Sequence, residues 1–109
     1  MERVIWFVAF LALSVAAGDV RAQMGGNPRD GLTAAQQVCS GCHAVRAGQA
    51  SPANSKSPNF VELANTPGVT GTPLLMALTA PHAGMPTFKL TAAQRDNIVA
   101  YILSLRADE

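Results

Sequence analysis

Few residues in this chain of 109 can do chemistry: two cysteines, two histidines and four methionines stand out. Three of these eight are gathered in Cys39-Ser40-Gly41-Cys42-His43. On a helical turn, positions i, i+3 and i+4 share one face, so Cys39, Cys42 and His43 project together while Ser40 and Gly41 turn away. C-x-x-C-H with this geometry suits covalent attachment of haem c: two thiols meet the vinyl groups of one porphyrin edge as thioethers, and the imidazole reaches the iron. Three other chemistries use similar residues. A thioredoxin-like dithiol needs a βαβ setting. A zinc site could draw on Cys39, Cys42, His43 and His82, but adjacent Cys42 and His43 do not follow the usual ligand spacing. A plain disulfide is a poor fit within one helical turn.

The elements that must position these residues read as helices joined by long loops. Asn27-Pro28 is an N-cap followed by proline at the first helical position, with Asp30 in the first turn. The first helix runs from about Pro28 into the Cys39 region, with Leu32, Ala35 and Cys39 on one stripe. Residues 44 to 58 are a loop without a periodic apolar face. Asn59 to Ala64 predicts a short helix. Thr72-Pro73 predicts an N-cap and first position, opening a helix through about Ala80 and ending before Pro81. Thr91-x-x-Gln94 is a capping box. It opens a last helix with Ile98, Tyr101, Ile102 and Leu105 on one face and Arg106 at its C-terminal dipole. No alternating run predicts a strand, so the fold class is all-α.

Composition narrows the function. Eight basic and seven acidic residues give a net charge of +1, without the clustered basic excess of a nucleic-acid binder. The N-terminus has its own pattern: Val4 to Ala17 carry no charge, and Val20-Arg21-Ala22 follows the small-x-small rule of a signal-peptidase site. Fourteen residues span about 21 Å, short of the roughly 30 Å hydrocarbon core. Residues 1–22 therefore read as a secretory signal peptide, with an uncleaved anchor as the alternative, and residues 23–109 as one domain. That domain has 87 residues and a thin core, which calls for a staple.

With Cys39-Ser40-Gly41-Cys42-His43, a downstream Ala83-Gly84-Met85-Pro86 and the closing Ile98-Val99-Ala100-Tyr101-Ile102-Leu103, the chain resembles the small mono-haem class I cytochromes c of bacterial periplasms. The resemblance covers about Pro28 to Leu105. It implies a class I cytochrome c fold of three to five helices, with long loops wrapped around one covalently bound haem. It implies Cys39 and Cys42 as thioether partners, and His43 and Met85 as axial ligands of the iron. His82 is the rival sixth ligand. Met76, mid-helix among leucines, reads as core, and Met24 precedes the first helix. The family also implies a proline carbonyl that fixes the ligand imidazole, for which Pro58 is the candidate before Pro52. Phe60 and Tyr101 are expected in the haem pocket or beside it, and Gly31 is expected against Tyr101 at a helix crossing. Propionate partners are open among Lys56, Arg46, Asn54 and Lys89. Small residues such as Ala44 and Gly84 are expected to let a partner approach the haem edge.

The sequence therefore predicts a periplasmic electron carrier, with redox proteins as partners and no catalytic residues. A cytochrome subunit fixed to a dehydrogenase or oxidase complex is the alternative. A haem enzyme or gas binder with an open sixth position is a third reading.

Overall fold

The computed structural model describes residues 25–52, 56–80, 82 and 84–107. The expected signal peptide, Met24, Asn54, Pro81 and Ala83 lie outside the described residues. Four helices follow in order: α1 (Pro28–Val38), α2 (Phe60–Ala64), α3 (Gly71–Thr79) and α4 (Ala92–Ser104). Among the described residues there is no strand, only an isolated bridge between His82 and Met85. The order is all-α, as the resemblance implies, and none of the described helices is long and apolar enough to cross a membrane.

Local chemistry sets most helix boundaries. The Asn27 side chain accepts from the Arg29 and Asp30 amides, and Pro28 opens α1 where no amide is needed. Asn59 caps α2 by accepting from Glu62 N at 2.7 Å. The Thr91 hydroxyl accepts from Gln94 N while the Gln94 side chain accepts from Thr91 N, completing the capping box of α4. Helix α3 differs from expectation. Its N-cap is Thr70, two residues before Thr72, and the helix starts at Gly71. Thr70 makes no side-chain cap hydrogen bond. Pro73 falls at the third helical position, still inside the first turn, where its missing N–H costs no intrahelical bond.

The largest helix contact is α1 against α4. Gly31 makes it possible: a Cβ there would collide with the Asn97 carbonyl and stand 2.7 Å from Tyr101 Cβ. The crossing is locked from outside by Asn97, whose Oδ1 accepts from Asn27 N at 2.7 Å. Around it Ala34, Ala35, Phe60, Leu74, Ile98 and Ile102 form the buried core. Ile98 is wholly buried.

Arg106 stands beyond the C-cap Leu105 rather than in the last turn of α4. Its Nε donates to Ala64 O at 3.2 Å, and its Nη2 donates to Val69 O. Asn65 completes the clasp, accepting from Ala107 N at 2.8 Å and donating to Val61 O at 2.7 Å. The chain after α4 is thereby tied to the turn after α2.

Candidate functional site

The Cys39–His43 segment continues the winding of α1 for one further turn. Cys39 N donates to Ala35 O at 2.8 Å, while Cys42 N and His43 N both donate to Cys39 O, at 3.2 and 2.9 Å. These bonds give the segment its i, i+3, i+4 relation, and all three side chains line one cavity. Cys39 is buried and Cys42 exposed. Burial pushes the Cys39 thiol up to about 11. It is therefore neutral near pH 7 in this apolar setting. Among the described residues no group of three His, Cys, Asp or Glu side chains is placed to hold a metal ion by itself.

The His43 ring is held from two sides. Nδ1 lies 2.7 Å from Pro58 O, so it donates its proton to that carbonyl and leaves Nε2 as the lone-pair nitrogen. Phe60 packs beside it with ring centroids 5.2 Å apart and planes tilted by 51°. The loop is pinned at both neighbours of this contact. Phe60 N donates to Ala44 O at 3.0 Å. The Tyr101 hydroxyl donates to Val45 O at 2.5 Å. The described residues between 44 and 58 thus lack helix but are anchored where the segment leaves and rejoins the core.

Met85 and His82 lie across a tight turn. Met85 N donates to His82 O at 3.2 Å, and Gly84 takes φ +80°, a conformation that glycine adopts without a Cβ penalty. Both side chains border the same cavity as His43, and Met85 is the less exposed of the two. Met76 differs from its expected core role: it is 61% exposed. Leu74, Ala77 and Leu78 occupy the cavity-facing side of α3, and at about 100° per residue Met76 falls on the opposite side.

The cavity holds about 760 Å³, within the usual size of cofactor sites. Cys39, Cys42, His43, Pro58, Phe60 and Met85 all line it. Tyr101 does not. It is buried behind Phe60, with ring centroids 6.4 Å apart, and acts on the site through Val45 and the helix crossing. Ala44, expected near an exposed edge, is 1% exposed and serves as the acceptor for Phe60 N. The apolar walls from Leu63, Val69, Leu74 and Leu78 were not singled out by sequence reasoning. The i, i+4 spacing of Leu74 and Leu78 could have marked one wall, but no local signal points to Val69.

The donor set fits haem c. Two thiols and an imidazole with a fixed tautomer stand on one stretch of wall, a thioether stands on another, and aliphatic side chains line the space between. Comparison with known proteins agrees. Residues 26–102 match the family described as cytochrome c oxidase, cbb3-type, subunit III. The chain is also 35% identical over 96 residues to cytochrome c-552 of Bradyrhizobium diazoefficiens, covering 88% of this chain and 90% of that one. No solved structure matches it. On the motif, the helical fold and these two matches, the chain belongs to the cytochrome c family, as a small class I, haem-bearing electron-transfer protein.

Proposed function

We propose that residues 23–109, exported by the signal peptide at 1–22, form a periplasmic carrier of single electrons. Cys39 and Cys42 hold one haem c by thioethers, and His43 and Met85 fill both axial positions of its iron. The observation that carries this reading is the placement of His43 and Met85 on one cavity, with His43 Nδ1 bonded to Pro58 O. Bound there, the group supplies an Fe(III)/Fe(II) couple. The Pro58 carbonyl fixes the imidazole and raises its basicity. The Met85 thioether and the aliphatic walls favour the less charged Fe(II) state and raise the potential relative to two imidazoles. Phe60 and Leu74 exclude water from the interior. With His43 and Met85 both holding the iron, no position on it would be open to a substrate.

The test is carbon monoxide binding to the reduced protein. Wild type should not bind it, Met85→Ala should bind it with a lowered potential, and His82→Ala should behave as wild type. A His82→Ala variant that binds carbon monoxide, beside an unchanged Met85→Ala, would reverse the ligand assignment. Binding by wild type would support an open sixth position instead.

A second reading, a cytochrome subunit fixed within an oxidase or dehydrogenase complex, is favoured by the description of the matching family. Co-purification with a larger subunit would support it over a free carrier.

A further inference from the structure

The thioether and axial assignments leave one charged residue of the cavity without a role. The described lining contains no aspartate or glutamate, and Lys56 is its one lysine or arginine. Two other basic residues near the loops lie outside the lining. Arg46 faces the Gln36 amide, whose oxygen, in the orientation that satisfies both groups, lies 2.8 Å from Nε and 2.7 Å from Nη2. Lys89 is exposed and does not border the cavity. Lys56 is itself exposed, so its stem can border the cavity while its ammonium stays in water.

The two propionate carboxylates of haem c need such a partner. A carboxylate set against aliphatic walls without a counter-charge is costly, and Leu63, Val69, Leu74 and Leu78 offer none. We propose that Lys56 pairs with a haem propionate, so that the group sits with a propionate edge toward residues 56–58. This rests on the haem reading given above. The same three residues include Pro58, whose carbonyl accepts from His43 Nδ1 at 2.7 Å. One short stretch then fixes both the ligand imidazole and a propionate. The electrostatic consequence has a definite sign. An ammonium beside the haem disfavours the extra positive charge of Fe(III) and compensates a negative propionate. Removing it favours Fe(III) on both counts.

Potentiometric titration of the holoprotein tests this with Lys56→Met, Lys56→Arg and Lys89→Met. Lys56→Met should lower the equilibrium constant for reduction about three- to tenfold, which is roughly 30–59 mV at 59 mV per tenfold for one electron. Lys56→Arg, which keeps the charge, should stay within about twofold of wild type, and Lys89→Met, with the same loss of charge, should move less than about twofold. A Lys56→Met shift no larger than that of Lys89→Met would overturn the proposal, as would an equal loss in Lys56→Arg. The long-wavelength absorption band of methionine-ligated ferric haem separates the two claims. Its presence in wild type and all three variants keeps the axial assignment standing whatever the potentials show. Its absence from wild type would refute that assignment instead.

Discussion

Replacing Gly31 by alanine should destabilise the protein, although alanine is the better helix former. Within α1 the substitution gains about 0.8–1.0 kcal/mol of intrinsic helix propensity. Against this, the new methyl collides with the Asn97 carbonyl and comes within 2.7 Å of Tyr101 Cβ. The obstacle is backbone, not the free end of a side chain, and the Asn97 side chain is itself tied to the start of α1 by the Asn27 amide at 2.7 Å. Overpacking of this kind costs about 1–3 kcal/mol, and a clash with fixed backbone belongs at or above the upper end. The net loss should be about 2 kcal/mol, or roughly 8–16 °C in melting temperature for a domain of this size. Guanidinium unfolding of the ferric holoprotein measures it. The ligand absorption should stay unchanged, because Gly31 does not border the cavity. A Gly31→Ala variant as stable as wild type, or more stable, would refute the claim that this close approach sets the α1–α4 crossing.

Two further substitutions probe the supports of the site. Tyr101→Phe removes the donor to Val45 O and should cost about 1–2 kcal/mol, read from the denaturation midpoint at pH 7. Burial pushes the Tyr101 phenol above its ordinary 10.0, partly opposed by the Arg46 charge, so the folded protein holds that proton more tightly than the unfolded chain. Its stability contribution is therefore full below about pH 10 and falls as pH rises through the folded value. Tyr101→Phe should flatten that alkaline decline. Asn59→Ala removes the cap of α2 and should cost about 1 kcal/mol, with the cavity still able to hold its group, as thermal melting and the absorption spectrum of the holoprotein would report.

What could be read from the sequence was local. Asn27-Pro28 and Thr91-x-x-Gln94 each carry their helix start within four residues, and the structure places those caps where the sequence does, whereas Asn59, expected as the first residue of its short helix, is the cap before it. The i, i+3, i+4 relation of Cys39, Cys42 and His43 is equally short in range. Thr70 escaped because it caps without a side-chain bond, while Thr72-Pro73 imitated a start two residues later. Met76 was misjudged because a helix of leucines around a methionine does not reveal which side faces inward. Asn97 and Arg106 act across the chain, on Asn27 and on Ala64 and Val69, and no local pattern announces such partners. The same holds for Tyr101. Its hydroxyl reaches Val45, 56 residues away, so its spacing on α4 revealed its burial but not its hold on the loop.

The central claim is that Cys39 and Cys42 hold one haem by covalent bonds. It is tested most directly by the haem-to-protein ratio that remains after the exported protein is denatured and extracted with acidified organic solvent. One haem per chain should be retained through extraction. Haem that passes wholly into the solvent, or protein that carries none after production with the haem-attachment machinery present, would contradict it.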